Sequence, residues 1–349
     1  DKDPPVRFDK DGVMSIRDEN GKWLKVRAAF RYVTQNPWDR IPMKTKTKIL
    51  NPIITCISGG RNKNLAAKAY GHLNMKLKST GLQLNTPRTF TDVPFQAIPF
   101  AIASLGGIGV IKSPYGNAGV DVFTITSEEE LDDFMKNFGK EGMGMGRGYG
   151  EKFIVQSLIG NANWSSDVGT GRFYHVGTVP TSKGNIYVAD IRMMIIWDGT
   201  KWTPLAVYSR RSKEPLPAEL DRNVPSFDVL GTNLSIKLGE NKWGTDTNRL
   251  MVMDTRDFNK LGIGLDDLID GFVQTVLATV AIDNLCKVFM GTDPNLVGLG
   301  HDFSKGVNMS TNNPNFGEFD FETFMQLNPD KDILEDIARC NGYAFQPGM

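Results

Sequence analysis

The sequence predicts an α+β fold in which helices and antiparallel strands are mixed along the chain. Apolar residues between positions 265 and 280 recur with the period of an α-helix, and this is the clearest helix in the sequence. Residues 171 to 209 instead hold three strand-like runs, with Asp198-Gly199 as a hairpin turn between two of them. A hairpin pairs its strands antiparallel, so this order disfavours a doubly wound parallel sheet.

Length and composition indicate an ordinary globular protein. The chain has 349 residues, enough for two or three packed lobes, with 40% hydrophobic and 23% charged residues. Lys plus Arg equal Asp plus Glu at 40 each, so no overall field favours nucleic acid or an anionic membrane. The three cysteines lack metal-binding or disulfide spacing, and no run of about 18 apolar residues occurs. We therefore expect a cytoplasmic protein with neither a nucleic-acid nor a membrane partner.

The N-terminal half is predicted to begin with strands and continue with a helix. Residues 12 to 16 and 23 to 33 are strand-like, around a turn at residues 19 to 21. Apolar residues at helical spacing predict a helix over residues 62 to 80, which Gly81 ends. An extended segment over residues 82 to 89 follows it.

The next part of the chain predicts strand, turn, strand and helix, in that order. Residues 109 to 123 give the two strands and their glycine-containing turn, and Ser127 with Glu130 forms a capping box that opens the helix. The glycine-rich run over residues 142 to 150 breaks this pattern, and residues 152 to 159 predict a buried strand.

Lys112 and the small residues after it have the composition of a phosphate-binding loop. A lysine at the end of a strand, followed by a small-residue turn, places one cation beside several backbone N–H groups, and phosphate oxygens bind to that combination. Taken alone, the pattern also fits an exposed lysine beside an ordinary hairpin turn. Residues elsewhere in the chain must decide between the two interpretations.

These other residues resemble the motifs of ATP-grasp enzymes, particularly those that form peptides or amides. Their phosphate loop is similar to residues 112 to 120 here, Lys-Ser-Pro-Tyr-Gly-Asn-Ala-Gly-Val. Upstream, such enzymes have a second phosphate-binding lysine, for which Lys68 is our candidate and Lys63 a rival. A Gly-hydrophobic-x-x-Pro-x-Thr motif follows in those enzymes, and Gly81, Leu82, Pro87 and Thr89 resemble it with two additional residues before the proline.

Residues 155 to 159, Val-Gln-Ser-Leu-Ile, resemble the strand that contacts adenine in this family. The resemblance implies hydrogen bonds from the base to the backbone at Ser157 and Leu158. Ser157 stands where the family usually has an acidic residue, and Asp167 is the candidate for holding the ribose. The resemblance implies one nucleotide-binding set: Lys68, Lys112, Tyr115, Gly116, Asn117, Ala118, Gly119, Gln156, Ser157 and Leu158.

Three further motifs follow in the order found in related ligases: Asp190-Ile-Arg192, Arg210-Arg211 and Asn233-Leu. The resemblance implies that these three arginines and Asn233 act at the catalytic site. Arginine binds carboxylate or phosphate through two parallel hydrogen bonds, as required where a carboxylate meets the anionic γ-phosphate. Adjacent strand residues point to opposite faces, so at most one of Arg210 and Arg211 is expected to face the substrate. The alternative is a solvated strand end.

The resemblance also implies Mg²⁺ beside ATP. This ion binds oxygen ligands, which carboxylate side chains can supply. Asp302 and the pair Glu318 and Asp320 match the positions of the metal carboxylates, although the family has Asn where Asp320 stands. Gln326 with Asn328 is an alternative second motif, and ordinary surface acids remain another interpretation. Near the N-terminus, Arg31 and Arg40 resemble an arginine-bearing segment of glutathionylspermidine-synthase-like ligases, or else belong to a solvated edge strand.

Taken together, the resemblance implies an ATP-grasp fold: two α+β lobes whose antiparallel sheets clasp the nucleotide. We expect a partial pre-ATP-grasp region over residues 1–61, a lobe with the phosphate loop over 62–150, and a lobe with hinge, arginines and metal carboxylates over 151–349. The expected activity is ATP-dependent amide formation from a small carboxylate and an amine, in a possible homo-oligomer. A carboxylate–thiol ligase and a degenerate ATP-binding protein are the alternatives.

Overall fold

The computed structural model describes twelve stretches of the chain, and everything below refers to them. They are residues 5–31, 41–42, 45–116, 119, 121–141, 152–159, 165–167, 172–174, 177–217, 220, 224–239 and 242–289. The chain divides into two compact units. The first takes in residues 1–73, 147–150 and 281–349, and the second takes in 74–146 and 151–280.

The first unit begins with short strands. These are β1 (Val6–Phe8), β2 (Met14–Arg17), β3 (Trp23–Lys25), β4 (Ala28–Phe30) and β5 (Lys48–Leu50). Strands β1, β2 and β3 form an antiparallel sheet in chain order, whereas β4 and β5 pair in parallel. The predicted turn joins β2 to β3: Gly21 adopts a φ of 79°, and the Asp18 carboxylate accepts N–H bonds from Asn20 and Lys22.

Helical segments follow these strands. Helix α1 (Ile53–Thr55) continues into a π-helical turn over Cys56–Gly60, and helix α2 (Lys63–Leu77) comes next. The division between the two units falls within α2 and again within the last described helix, α7 (Leu265–Phe289). The helix predicted over residues 62 to 80 therefore forms, and it ends before Gly81.

A four-stranded antiparallel sheet with two helices forms the best-packed part of the second unit. Its elements are β6 (Thr89–Pro94), α3 (Ile98–Ser104), β7 (Gly109–Lys112), β8 (Val122–Ile125), α4 (Glu128–Glu141) and β9 (Lys152–Gln156). The strand order is β6-β9-β7-β8, so β9 inserts between β6 and β7. Ile111 and Val155 are paired across β7 and β9 and are both fully buried.

The helices cover the sheet face that carries Ile111 and Val155. Phe134 of α4 lies at the centre of a cluster of phenylalanines, with its ring centroid 4.8 Å from Phe123 and 5.2 Å from Phe138. Ser127 caps this helix as predicted, because its Oγ accepts the N–H of Glu130 while the Glu130 carboxylate accepts the N–H of Thr126.

A second antiparallel sheet follows, with the order β12 (Ala189–Trp197), β13 (Trp202–Arg211) and β16 (Leu250–Val252). The remaining elements are β10 (Ser165–Asp167), β11 (Arg172–Tyr174), α5 (Ser226–Leu230), β14 (Ser235–Gly239), β15 (Lys242–Thr245), α6 (Thr255–Leu261) and α7. The predicted hairpin at Asp198-Gly199 is confirmed. Backbone N–H groups of Lys201 and Thr200 donate to the Asp198 carboxylate and lower its pKa to about 2.

Helix α7 confirms the clearest prediction from the sequence, and within the second unit it packs at Gly271 against Met193 of β12. Within the described residues, α7 is the one helix whose length and composition would allow it to cross a membrane. Core-facing helices of globular proteins have the same length and composition. The mixture of helices and antiparallel sheets confirms the predicted α+β class.

Side-chain amides fix the extended segment between α2 and β6. Asn74 donates to the carbonyl of Leu84 and accepts its N–H, at 2.9 and 2.8 Å. Gln274 of α7 binds the two residues that flank Leu84. Its side chain accepts the N–H of Asn85 and donates to the carbonyl of Gln83. The segment is thus held like a strand, by side chains where a neighbouring strand would otherwise supply backbone groups.

We predict that Phe134→Ala costs about 3–5 kcal/mol of folding stability, because it removes a buried ring and leaves a cavity. Phe134 is 6% exposed, whereas Phe100, on α3 in the same unit, is 76% exposed. Chemical denaturation of Phe134→Ala and the control Phe100→Ala measures the difference. Equal losses in the two variants would contradict this account of the core.

Candidate functional site

Lys112 ends β7 and lies on the sheet face opposite to the buried Ile111. Its side chain is half-buried, and its ammonium group donates to Oε1 of Gln156 at 2.5 Å. Burial lowers the pKa of Lys112 below its usual range, because the charged form loses water. A cation that is partly stripped of water and has a neutral partner is well placed to bind an anion.

Gln156 is in turn connected to Thr89. Its Nε2 donates to Thr89 Oγ1 at 2.8 Å, and the Thr89 hydroxyl donates to the carbonyl of Pro87 at 2.7 Å. Thr89 and Gln156 are directly opposite each other on β6 and β9. One chain of hydrogen bonds therefore joins Thr89, Lys112 and Gln156. These residues belong to three motifs that are far apart in the sequence.

The backbone after Lys112 turns tightly. The N–H of Ser113 donates to the carbonyl of Asp121 at 3.0 Å, and the N–H of Tyr115 donates to Ser113 Oγ at 3.3 Å. Asp121 and Gly119 have φ values of 57° and 81°. Gly116 is buried, while the loop candidates Asn117 and Ala118 lie outside the described residues. The described part is therefore a tight turn with two left-handed positions, in which the N–H groups of Ser113 and Tyr115 already have acceptors within the protein.

Asn233 lies against this turn. A Cβ at position 119 would lie 2.7 Å from the amide nitrogen of Asn233, so the two residues are in contact, and a side chain at position 119 would require Asn233 to move. The backbone carbonyl of Asn233 accepts a hydrogen bond of 2.6 Å from Arg249, and Arg249 also donates to Asp246 at 2.9 Å. Arg249 is buried, and this pairing fixes the position of the Asn233 segment.

A second cluster of charges lies on one face of the sheet formed by β12 and β13. Arg210 donates to both oxygens of Asp190, at 3.1 and 2.5 Å, and Arg192 approaches the same carboxylate at 3.2 Å. Thr232 Oγ1 also donates to Asp190, at 2.9 Å. Burial raises the pKa of Asp190, and the Arg192 charge and the Thr232 hydrogen bond oppose that rise.

The two arginines of this cluster differ in exposure. The Arg210 side chain is 15% exposed and its Nε and Nη2 groups donate to Asp190 and Thr232, whereas the Arg192 side chain is 49% exposed. Arg211 points to the other face, where its guanidinium lies 4.2 Å from the centroid of the Tyr187 ring. Arg192 is therefore the best placed of the three to bind a carboxylate in solution.

Of Ser157 and Leu158, whose backbone is expected to contact adenine, Ser157 already uses its N–H in a hydrogen bond within the protein. The N–H of Ser157 donates to the carbonyl of Arg88 at 2.9 Å, which extends the pairing of β6 with β9 by one residue. A base that bound here would therefore have to use the Ser157 carbonyl and the Leu158 N–H. Both residues are half-buried at the end of β9.

The remaining predicted site residues are on other elements of the chain. Lys68, exposed on α2, and Lys63, at the start of α2, belong to the first unit. Arg31 also belongs to the first unit, where it is buried and donates to Cys56 Sγ at 2.7 Å. Asp167 lies on β10.

The predicted metal ligands Asp302, Glu318 and Asp320 fall outside the described residues, as do Gln326, Asn328 and Arg40. Within the described stretches, no group of three acidic, histidine or cysteine side chains could hold a metal ion.

Sequence reasoning missed Thr232 and Arg249. Thr232 directly precedes the predicted site residue Asn233, and this position in the sequence could have identified it. Arg249 is recognised only from its burial and from its bond to a carbonyl 16 residues upstream.

Comparison with known proteins places two ATP-grasp proteins among the structural neighbours. An ATP-grasp domain protein of the RimK type from Sphaerobacter thermophilus is 14% identical over 67% of this chain and 72% of its own, with a TM-score of 0.29. The ATP-grasp ligase PsnB, complexed with a minimal precursor, is 14% identical over 77% and 85%, with a TM-score of 0.28.

N5-carboxyaminoimidazole synthetase from Staphylococcus aureus, complexed with ADP, is also similar. It is 11% identical over 62% of this chain and 50% of its own, with a TM-score of 0.28. No family model and no curated protein sequence matches the chain.

We predict that Asp190→Asn destabilises the protein by about 1–3 kcal/mol, because Arg210 loses its charged acceptor in a largely buried position. Asp254→Asn is the matched control, since Asp254 pairs with Arg256, whose side chain is 84% exposed. Urea unfolding of both variants measures the difference. A loss in Asp190→Asn no larger than that in the control would show that the cluster does not contribute to stability.

We also predict that Gly119→Ala destabilises more than Gly184→Ala. Both positions have positive φ, 81° and 77°, where a side chain costs about 1–2 kcal/mol. Gly184 has open space around it, whereas a Cβ at Gly119 meets Asn233. Thermal unfolding of the two variants isolates the contact, and equal losses would mean that Asn233 moves aside freely.

Proposed function

We propose that this chain is an ATP-dependent ligase of the ATP-grasp type, which joins a small carboxylate to an amine through an acyl phosphate. The observation that carries the proposal is Lys112, held by Gln156 at the start of a tight loop that Asn233 contacts. Lys112 supplies the cation for the nucleotide phosphates. Lys68 is the proposed second phosphate lysine.

In the proposed reaction, Arg192 binds the carboxylate substrate. Asp190 and Arg210 hold this arginine in place, because Asp190 is shared between the two guanidinium groups. A carboxylate oxygen attacks the γ-phosphorus of ATP and ADP leaves, and the amine nitrogen then attacks the acyl carbon and phosphate leaves. Both steps develop negative charge on phosphoryl oxygens, so cations at fixed positions accelerate them.

Mg²⁺, when bound, would supply further positive charge at the phosphates, with Asp302, Glu318 and Asp320 as its proposed ligands. We further propose cytoplasmic localisation, small-molecule carboxylate and amine partners, and a possible homo-oligomer. A carboxylate–thiol ligase would use the same residues and differ only in the nucleophile.

Two measurements test the proposal. Calorimetry with ATP and a non-hydrolysable analogue, with and without Mg²⁺, is expected to detect binding, and a screen of amino acids and amines is expected to find one that releases ADP. Binding without release in the presence of any carboxylate, amine or thiol would indicate a degenerate nucleotide-binding protein. Absence of binding by folded protein would refute the proposal.

We predict that Lys112→Met weakens ATP binding at least about tenfold, because a charge-assisted hydrogen bond to phosphate is lost. Lys152→Met is the matched control, since Lys152 is an exposed lysine on the neighbouring strand β9. Calorimetric affinities of both variants give the comparison. Unchanged affinity in Lys112→Met would remove Lys112 from the phosphate site.

A further inference from the structure

We propose that Gln156 and Thr89 are positioning residues for Lys112, and that together they hold its ammonium group at one fixed place on the sheet face opposite to Ile111. This inference rests on the proposed nucleotide site and adds two residues whose role lies in the orientation of the lysine. It starts from the hydrogen-bonded chain that runs from Lys112 through Gln156 and Thr89 to the Pro87 carbonyl.

The direction of this chain is fixed at its far end. The carbonyl of Pro87 can only accept, so the Thr89 hydroxyl must donate to it, and Thr89 Oγ1 is then an acceptor. The amide nitrogen of Gln156 must therefore face Thr89, which turns the amide oxygen toward Lys112. The reverse amide orientation would place an NH₂ group against an ammonium group, with no acceptor between them.

The strands make the arrangement rigid. Gln156 of β9 is opposite Thr89 on β6 and opposite Val110 on β7, so Lys112, two residues beyond Val110, projects from the same face. All three side chains thus arise from neighbouring strands of one sheet. A lysine side chain has many rotamers, and one fixed acceptor near its tip restricts them before any ligand arrives.

The chemistry of the partner also matters. An amide oxygen orients the ammonium group without neutralising it, so the full charge of Lys112 stays available to an anion. A carboxylate at the same position would form an ion pair with Lys112 and compete with phosphate for it. The geometry therefore indicates that Gln156 orients the Lys112 ammonium group and leaves its positive charge available to a bound anion.

The test compares ligands that do and do not carry phosphates. We expect Gln156→Met to weaken ATP binding about tenfold or more while adenosine binding changes little, since only the phosphates contact Lys112. Thr89→Val is expected to act in the same sense and Thr89→Ser to restore affinity, because serine keeps the hydroxyl. Gln83→Met, an exposed glutamine in the same unit, is the control.

A double variant distinguishes positioning from a separate contact. If Gln156 acts through Lys112, Lys112→Met with Gln156→Met should bind ATP no more weakly than Lys112→Met alone. Additive losses, or equal losses for adenosine and ATP, would overturn the proposal.

A measurement without nucleotide keeps the two proposals separate. In the ligand-free protein, an amine-specific reagent with mass-spectrometric readout is expected to label Lys112 faster in Gln156→Met than in the parent, because the acceptor that holds the ammonium is gone. Unchanged labelling refutes the positioning role even if ATP binds. Faster labelling in a protein that binds no ATP refutes the nucleotide site and leaves the positioning of Lys112 intact.

Discussion

The burial of Ile111 and Val155 in the middle of the four-stranded sheet determines which side chains are available for function. Successive residues of a strand point to opposite faces, so packing these two under α3 and α4 directs Lys112 and Gln156 to the other face. A shift of one residue in the pairing of β7 with β9 would bury the lysine. The phenylalanines around Phe134 oppose such a shift, because their packing fixes the position of the covering helix.

Charge is arranged differently in the second sheet, where one carboxylate serves two cations. Asp190 binds Arg210 through both oxygens and also contacts the more exposed Arg192. The neighbouring charges offset part of the cost of partly burying Asp190, and Arg192 keeps part of its guanidinium toward solvent. Arg249 acts by the same physics on a backbone carbonyl, since it holds Asn233 beside the phosphate loop.

Much of the fold was predictable, because the signals for it are local. The helical period in α7, the turn at Asp198-Gly199 and the capping box at Ser127 all lie within a few residues of the structure they produce. The site was only partly predictable. Motif resemblance singled out Lys112, Gln156 and Asn233, but their contacts depend on strand order and register over many residues. The placement of β9 between β6 and β7, which brings Gln156 to Lys112, has no signature in the sequence around either residue.

The amide clamps on residues 83 to 85 have a consequence for how this chain can change. Asn74 and Gln274 recognise only main-chain groups, so the side chains of the clamped segment carry no part of the recognition. The amino acids at these positions can therefore be substituted while the backbone path stays the same. Leu84 is the exception, because its side chain is buried and must fit its surroundings. The two amides have no such freedom, because a shorter, longer or charged side chain would lose one half of each paired contact. Sequence variation should thus be concentrated in the segment and sparse at the residues that hold it.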